Sequence, residues 1–291
     1  MSARILEGAP VAEKIKAEVA ERIAAAKAKI EPTLVAIMVG DNAGARAYAR
    51  SQGKACDEVG IAYELRELGE EFTEAQLINE IANLNMDPGV TAIILTMPVP
   101  AHINGRAAQR MIAPTKDADG VHPVNLGGVV QGRRILAPCT AMAVMEVLET
   151  AGTKLEGAEA VVVGHSEIVG KPIALFLMEA FATTTVCHIA TRDLAAHTRR
   201  AEVLVVGVGK AGLVDGSMIR PGATVIDVGI NRVPDPETGK SKIVGDVDFA
   251  SAVEVAGAIT PVPGGVGMVT TAMLLRNVAE AAELQIRLEQ R

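Results

Sequence analysis

The stretch AEAVVVGHSEIVGKPIALFLMEAF, residues Ala158 to Phe181, decides the fold of this chain. It opens with a short apolar run that ends at Gly164, which is typical of a buried strand. Pro172 then precedes an apolar run, and proline is tolerated in the first turn of a helix. A strand, a glycine-rich turn and a helix predict the first half of a dinucleotide-binding unit, with the turn against the pyrophosphate. Tight packing of strand on helix is the alternative explanation for such a turn.

Similar apolar runs continue on both sides of this stretch. Strands that alternate with helices at this spacing predict parallel sheets covered on both faces. The predicted fold is therefore α/β, with two domains of parallel βαβ units, the second of them a Rossmann-like NAD(P)-binding domain. The predicted strands are residues 34–40, 63–68, 90–98, 158–164, 183–190, 201–207 and 223–229, and the predicted helices are residues 10–30, 45–59, a segment opened by Thr73, 141–150 and 268–288.

The boundary between the two domains is predicted from a change in pattern. Residues 104–138 are richer in Gly, Asp and Pro and poorer in periodic apolar positions, which favours an interdomain stretch. The last helix is expected to return to the first domain. The predicted division is residues 1–137 plus 268–291 for one domain and residues 138–267 for the other.

The composition and charge of the chain limit the kinds of ligand that it is expected to bind. The chain has 291 residues, 49% of them hydrophobic, with 28 Lys and Arg against 35 Asp and Glu and a net charge of −7. Such a chain folds, and without clustered cations it is not expected to bind nucleic acid or an anionic membrane, which leaves a small molecule. Cys56, Cys139 and Cys187 are too few and scattered for a disulfide framework or a zinc cluster, and no metal site is predicted. With no apolar stretch of about 18 residues and no leader pattern, a cytoplasmic protein is expected.

A literal GxGxxG pattern occurs at Gly207, Gly209 and Gly212, directly after an apolar run. This fingerprint binds a dinucleotide only when its last glycine opens a helix. Gly216 and Pro221 leave no room for such a helix. We therefore expect the cofactor at the loop from Gly164 to Pro172 instead.

Six segments spread along the chain carry the motifs of one enzyme family. They are GDNAGARAYARSQGKACDEVGI at residues 40–61, EAQLINEIANLNMDPGVTAIILTMPVP at 74–100, KDADGVHPVN at 116–125, PCT at 138–140, VVGHSEIVGKP at 162–172 and TPVPGGVG at 260–267. Over essentially its whole length the chain resembles the bifunctional methylenetetrahydrofolate dehydrogenase/methenyltetrahydrofolate cyclohydrolase family.

The resemblance implies an activity and a set of site residues. The first domain with the last helix would hold the folate, and the second would hold NAD or NADP, in a protein that is usually a homodimer. The dehydrogenase would oxidise the methylene bridge by hydride transfer, and water would then open the methenyl cation to 10-formyltetrahydrofolate. The implied catalytic residues are Tyr48, Gln52, Thr96 and Asp119. The implied substrate-binding residues are these four with Leu95, Met97, Pro263, Gly264, Gly265, Val266 and Gly267. The implied cofactor-binding residues are Thr140, Gly164, His165, Ser166, Ile168, Gly170, Ile189, Arg192 and Ile230.

Two departures from the family pattern fall in one catalytic pocket. The family has a lysine four residues after the tyrosine, where this chain has Gln52, and a glutamine where this chain has Thr96. Glutamine does not titrate, so it can hydrogen-bond the folate but cannot move a proton. Lys54 is a poor substitute, because two residues further along a helix is about 200° around it. The sequence therefore predicts a dehydrogenase in which the cyclohydrolase step is weak or absent.

Two other hypotheses stay open at this point. One is a full bifunctional enzyme in which Lys54 or a water relay compensates for Gln52. The other is a folate- or nucleotide-binding protein without catalysis, which retention of Tyr48, Asp119 and both glycine loops disfavours. A related pterin carrier is also open as substrate, because Thr96 and Met268 alter the pocket.

The choice between NAD and NADP depends on the end of the second strand of the cofactor domain and on the glycine loop. A 2′-phosphate needs cations or hydroxyls there, whereas a free 2′-hydroxyl favours an acidic acceptor. His165 stands where the family has an arginine, and Ile189 where it has a polar or basic residue, although Arg192 is close. We expect NAD to be usable and the preference for NADP to be reduced. His188 is interpreted as a core or loop-anchoring residue.

Overall fold

The computed structural model of the chain describes residues 2–234 and 239–290, and these form two compact units. The six-strand unit consists of Met1–Ala12 and Thr140–Thr270, and the three-strand unit consists of Glu13–Cys139 and Thr271–Arg291. The structure differs from the predicted division at the N-terminus. There Arg4–Ile5 pairs in parallel with Ala258–Ile259, so the first residues belong to the six-strand unit.

The element bounds are as follows. Within the described residues the strands are β1 (Arg4–Ile5), β2 (Thr33–Val39), β3 (Ala62–Leu68), β4 (Ala92–Leu95), β5 (Glu159–Val163), β6 (Thr183–Cys187), β7 (Val203–Val206), β8 (Thr224–Asp227), β9 (Asn231–Pro234), β10 (Ser241–Val244) and β11 (Ala258–Ile259). The α-helices there are α1 (Gly8–Ala26), α2 (Ala43–Val59), α3 (Glu74–Met86), α4 (Gly105–Gln109), α5 (Pro123–Val130), α6 (Cys139–Thr150), α7 (Gly170–Glu179), α8 (Leu194–Thr198), α9 (Phe249–Ala252) and α10 (Val266–Glu289), and a 3-10 turn covers Gly216–Met218.

The three-strand unit has a parallel sheet in the order β3-β2-β4. Strand β2 lies in the middle, and its side chains from Leu34 to Val39 are all buried, as expected for a parallel strand covered on both faces. Thr73 and Gln76 form a capping box at the start of α3. This helix buries Leu77, Ile81 and Leu84 against the sheet.

Residues 104–138 are not an interdomain stretch, contrary to the sequence expectation. They form α4, α5 and ordered loops inside the three-strand unit. Asp117 makes a parallel bridge with Ile93, whose backbone N–H donates to the carbonyl of Lys116 at 2.7 Å. This segment is held in place by hydrogen bonds to the buried Asp117. Such bonds do not require apolar residues at regular spacing, so the sequence pattern did not reveal them.

The six-strand unit has a sheet in the order β1-β11-β8-β7-β5-β6, with every neighbouring pair parallel. The predicted α/β class with parallel βαβ units is confirmed. The antiparallel hairpin of β9 and β10 was not predicted. No helix in the described part of the chain is long and apolar enough to cross a membrane. The thiols of Cys56, Cys139 and Cys187 are free and buried.

Candidate active site

Helix α2 carries two of the predicted catalytic side chains. It begins after Asn42, whose side chain accepts a hydrogen bond from the N–H of Ala45 at 2.9 Å. Gln52 is 0% exposed, and neither its Nε2 nor its Oε1 has a hydrogen-bond partner among the residues that the structure describes. Tyr48 lies one turn earlier on the same face, whereas Lys54 is exposed. The helix therefore buries the neutral amide of Gln52 and leaves the amine of Lys54 in solvent.

The end of β4 carries three more of the predicted residues. The backbone N–H of Thr96 donates to the carbonyl of Ile37 at 2.8 Å, while its buried hydroxyl has no partner in the described chain. Met97 is 44% exposed. The side chain of Leu95 packs in the core, so Leu95 can reach a ligand only through its backbone. As at Gln52, a buried polar atom at this strand end is left without a protein partner.

The motif KDADG contains two aspartates with different surroundings. The carboxylate of Asp117 accepts hydrogen bonds from the backbone N–H groups of Gly120 at 3.1 Å and His122 at 2.7 Å, and from Nδ2 of Asn125 at 2.8 Å. The Asp119 carboxylate accepts none from any described residue. Asp117 thus holds the loop in place, and Asp119 is available to a ligand.

Asn277 on α10 fixes the backbone beside Asp119. Its Nδ2 donates to the carbonyl oxygens of Ala118 and Ala137, both at 2.9 Å. The N–H of Cys139 donates to the carbonyl of Asp119 at 3.3 Å. These bonds hold the loop on both sides of the carboxylate, so its position is set by the last helix as well as by its own motif.

Burial controls the charges at this site. It raises the pKa of Asp119 to about 6, with the charge of Asp117 adding to the effect and Arg106 opposing it. Burial also raises the pKa of Tyr48, with the negative charge of Asp119 as the next cause. At neutral pH the site therefore presents a carboxylate that accepts hydrogen bonds and a phenol that keeps its proton.

Tyr63 on β3 is a residue that the sequence reasoning missed. Its hydroxyl is buried and has no partner in the described part of the chain. Its ring lies against Gly53, where a Cβ would come within 2.9 Å of ring carbon Cδ1. The only signal in the sequence was a tyrosine in an alternating strand, which an amphipathic packing role explains equally well.

The predicted substrate loop from Pro263 to Gly267 lies in the six-strand unit. Gly264 has φ +108°, and its carbonyl accepts a hydrogen bond from the N–H of Gly8 at 2.8 Å. A Cβ on Gly8 would overlap the carbonyl of Gly265. Val266 is buried and starts α10. The positive φ accounts for glycine at position 264, and close packing accounts for Gly265, where a Cβ would come within 2.6 Å of the carbonyl oxygen of Pro261.

A cavity of about 680 Å³ lies at the carboxyl ends of β5, β6 and β7, the edge where parallel α/β sheets bind ligands. It brings together four of the predicted cofactor residues, Gly164, His165, Ser166 and Ile189. The other predicted residues, Thr140, Ile168, Gly170, Arg192 and Ile230, are not among those that line it. Its remaining lining residues are Val163, His188, Thr191, Leu194, Gly207, Val208, Lys210 and Leu213, of which the sequence reasoning singled out only His188 and Gly207, and neither as a cofactor residue.

Gly170 supports the cavity without lining it. A Cβ at this position would overlap the carbonyl oxygen of Gly164, which has φ +126°. The hydroxyl of Ser166 accepts a hydrogen bond from the N–H of Gly170 at 3.2 Å, at the start of α7. The loop can therefore turn tightly into the helix only with glycine at both positions.

Two backbone amides of the second glycine pattern already have hydrogen-bond acceptors within the protein. The N–H groups of Val208 and Gly209 donate to Oδ2 of Asp246 at 2.5 and 2.9 Å. The chain then continues to the short 3-10 turn of Gly216–Met218, and no α-helix opens at Gly212 in the described structure. The predicted absence of a helix is confirmed, although Gly207 and Val208 do line the cavity.

Comparison with known proteins identifies the family. Residues 6–119 match the tetrahydrofolate dehydrogenase/cyclohydrolase catalytic domain, and residues 138–286 match the NAD(P)-binding domain of the same family. A bifunctional protein FolD from Bordetella petrii is 50% identical over 282 residues, which are 97% of this chain and 94% of that protein. The chain belongs to the tetrahydrofolate dehydrogenase/cyclohydrolase family.

Solved structures of the family have the same fold. The bifunctional enzyme FolD from Campylobacter jejuni is 42% identical, with a TM-score of 0.92 over 97% of this chain and 99% of that one. The methylenetetrahydrofolate dehydrogenase-cyclohydrolase of Trypanosoma brucei, solved with NADP and an inhibitor, is 38% identical, with a TM-score of 0.93 over 99% of both chains.

The cavity of this family member fits a dinucleotide. Ile189, Val208 and Leu213 give it an apolar wall of the kind that an adenine ring needs. Ser166 and Lys210 add a hydroxyl and a cation that suit ribose and phosphate. The chain is therefore a member of an NAD(P)-dependent family in which the nucleotide cavity is formed.

Proposed function

We propose that this protein is an NAD(P)-dependent methylenetetrahydrofolate dehydrogenase with little or no cyclohydrolase activity. It oxidises 5,10-methylenetetrahydrofolate to 5,10-methenyltetrahydrofolate. The observation that carries the proposal is Gln52, whose amide is fully buried and unpartnered by any described residue at the position of the family lysine. A buried polar group without a protein partner is costly, and a bound substrate can remove that cost.

The dehydrogenase step needs little acid-base catalysis by the protein. The nicotinamide accepts the hydride when it is bound, and the protein supplies binding and orientation. Asp119 accepts hydrogen bonds from the amide and amino edge of the pterin, and Tyr48 donates one to the substrate. Gln52 and Thr96 complete the polar contacts without changing charge. None of these roles needs the missing lysine.

The cyclohydrolase step does need proton transfer. Water that attacks the methenyl cation must lose a proton to a base. Neither Gln52 nor Thr96 can take it. Lys54 is exposed on α2, away from the buried face that carries Gln52. The second step therefore lacks its proton acceptor at this position.

A full bifunctional enzyme is the second candidate, and the names of the relatives favour it. The Bordetella petrii and Campylobacter jejuni proteins are both called bifunctional. In that case another group, such as Asp119 with its pKa of about 6, would have to act as the base. The two candidates differ only in the fate of the methenyl compound.

An assay that follows two products decides between them. Purified protein is given methylenetetrahydrofolate with NAD or NADP, and reduced nicotinamide and methenyl product are measured separately. We expect the methenyl compound to accumulate in step with the reduced cofactor. Hydrolysis of added methenyltetrahydrofolate well above the uncatalysed rate would support the bifunctional enzyme. Failure to reduce either nicotinamide would leave a binding protein.

We propose in addition that NAD is usable and that the preference for NADP is reduced. His165 and Ile189 line the cavity where the family pattern has an arginine and a polar or basic residue. Ile189 is 100% exposed and offers a phosphate no donor from its side chain. We expect kcat/KM with NADP to exceed that with NAD by less than about a hundredfold, or about 2.7 kcal/mol. A larger preference would show that another cation, such as Arg192, binds the phosphate.

A further inference from the structure

Tyr63 places a buried phenol beside the helix that carries Gln52. It lies near the start of β3, in register with Leu34 of β2. Its ring packs against Gly53 of α2, where a Cβ would come within 2.9 Å of Cδ1 and 3.0 Å of Cε1. Gly53 lies in the interior of the helix, where glycine is less favourable than alanine. Helix α2 therefore has a destabilising residue at the point where the Tyr63 ring packs on it, one position from Gln52.

The packing of this ring does not explain its hydroxyl. The Tyr63 hydroxyl is buried and has no hydrogen-bond partner among the described residues. A buried hydroxyl without a partner destabilises a folded protein, and a phenyl ring of the same shape avoids that penalty. For packing alone, phenylalanine would be the more stable residue at this position. The hydroxyl therefore needs a role other than packing.

The amide of Gln52 is buried in the same way, close to this hydroxyl. Gln52 is 0% exposed, and neither end of its amide is bonded to a described residue. Tyr48, one turn earlier on α2, responds to both groups. Burial is the main cause that raises the pKa of Tyr48, the amide of Gln52 opposes this rise, and an ionised Tyr63 would add to it. Tyr48 is thus within electrostatic range of both side chains, and the contact at Gly53 brings Tyr63 to the same part of the helix.

Tyr63 and Gln52 are chemically complementary. Burial raises the pKa of Tyr63, with Cys56 as the second cause, so the phenol keeps its proton at neutral pH and can donate it in a hydrogen bond. The amide of Gln52 has an acceptor at Oε1 and a donor at Nε2. When a neighbouring hydroxyl donates to Oε1, Nε2 is the end that remains for a ligand. A single hydrogen bond thus decides which end of the amide faces the substrate.

We propose that Tyr63 is a positioning residue of the folate site, which donates a hydrogen bond to Oε1 of Gln52 when the folate is bound and so directs Nε2 toward an acceptor on the substrate. The inference rests on the proposed folate activity and adds a residue to it. Tyr63 acts through Gln52 and does not itself contact the folate. Both buried polar side chains gain partners together when the substrate binds, which favours the bound state.

The variant Tyr63→Phe removes the hydroxyl and keeps the ring. We expect the Tm of the free protein to stay the same or to rise, because an unpartnered buried hydroxyl has been removed. The Kd for tetrahydrofolate, measured by calorimetry without turnover, should rise about three- to tenfold, the usual range for one neutral hydrogen bond. In turnover, KM for the folate should rise with kcat little changed, and KM for the nicotinamide cofactor should stay the same. A side chain that only packs would not lose folate affinity while the protein keeps its Tm.

A double-mutant cycle tests whether Tyr63 acts through Gln52. Gln52→Met keeps the length of the side chain and removes both ends of the amide. In that background Tyr63→Phe should change the Kd for tetrahydrofolate by less than about twofold, because the hydroxyl no longer has an amide to orient. An equal loss in both backgrounds would overturn the proposal and would indicate direct contact between the hydroxyl and the folate.

The remaining outcomes separate this proposal from the proposed function. Wild-type affinity for tetrahydrofolate in Tyr63→Phe would overturn the role of Tyr63 and leave the dehydrogenase standing. A fall in Tm with equal weakening of folate and cofactor binding would also overturn it, because Tyr63 would then be a structural residue. A wild-type protein that binds tetrahydrofolate but reduces neither nicotinamide would overturn the dehydrogenase, while the binding data would still decide the role of Tyr63. If the wild-type protein did not bind tetrahydrofolate, both proposals would be wrong.

Discussion

The predicted catalytic residues of the three-strand unit and the nucleotide cavity of the six-strand unit lie in opposite surroundings. Gln52 and Thr96 are buried, and their polar side-chain atoms have no partner in the described chain. His165 and Ile189 are exposed in an open cavity. In the first region Gln52 and Thr96 are shielded from solvent, whereas in the second His165 and Ile189 are in contact with it.

This difference in solvation determines what each substitution changes. At the buried positions we expect loss of a titratable group to remove a chemical step, because Gln52 and Thr96 cannot accept a proton. At the exposed cavity we expect exchange of a cation to alter the relative binding of the two cofactors, because solvent and Lys210 remain available. We therefore expect large changes in reaction rate at the buried site and graded changes in affinity at the cavity.

The largest effect is expected at Gln52. Gln52→Lys, alone and with Thr96→Gln, restores the family residues and should raise hydrolysis of methenyltetrahydrofolate by about 10²- to 10⁴-fold, the usual contribution of a placed acid or base. The measurement is the decay of methenyl absorbance. Lys54→Gln is the matched control on the exposed face of α2 and should change nothing. If the wild-type protein already hydrolysed methenyltetrahydrofolate as fast as Gln52→Lys, the expected difference between the buried site and the cavity would be wrong.

The next effect is expected at Asp119. Charge-assisted hydrogen bonds contribute about 1.5–3 kcal/mol, so Asp119→Asn should lower kcat/KM for the folate by about 10- to 100-fold while leaving cofactor binding intact. Asp117→Asn is the contrasting variant in the same motif. It should lower Tm, because Asp117 accepts three hydrogen bonds that hold the loop. Equal losses for folate and cofactor in Asp119→Asn would make Asp119 a structural residue.

The pH dependence of folate use should show an acid limb. Burial raises the pKa of Asp119 to about 6, so its carboxylate is present above that pH and is lost as pH falls. We expect kcat/KM for the folate to fall about tenfold per pH unit below the pKa, as it does when one ionised group of the free enzyme is essential. The same profile in Asp119→Asn would assign the limb to another group.

The smallest effect is expected at the second glycine pattern. Gly212 has φ +60° and open space around it, so Gly212→Ala should cost about 1 kcal/mol of folding free energy and leave cofactor affinity within about twofold. Gly170→Ala is the contrasting variant and should lower cofactor affinity more than Gly212→Ala, because its Cβ would overlap the carbonyl of Gly164. Thermal unfolding and cofactor titration measure both. If the two variants lost cofactor equally, the amides beside Asp246 would belong to the dinucleotide site.

The sequence predicted those strands and helices in which apolar residues recur at regular spacing. The apolar run of β2 and the helix opened by Thr73 lie where the pattern placed them. The α/β class and the parallel pairing were predicted because apolar strands alternate with amphipathic helices, which cover both faces of a sheet. The difference between Gln52 and Lys54 was also predictable, since helical geometry alone separates them.

The parts that were missed depend on contacts between residues far apart in the chain. Strands β1 and β11 have two residues each, too few for any period. Asp117 and Asp119 are alike in sequence, and only their hydrogen bonds separate an anchor from an available carboxylate. Likewise, nothing near His188 in the sequence indicated that its ring would face His165.

The position of Asn277 in the chain affects the order in which parts of the protein can fold during synthesis. Asn277 lies 159 positions after Ala118 and 140 positions after Ala137, yet it holds the carbonyl groups of both, on either side of Asp119. During synthesis the Asp119 loop must therefore remain without these bonds until Asn277 has emerged. A chain that stops before Asn277 can already contain every residue of the nucleotide cavity. The loop that carries Asp119 is thus completed later in synthesis than the residues that line the nucleotide cavity.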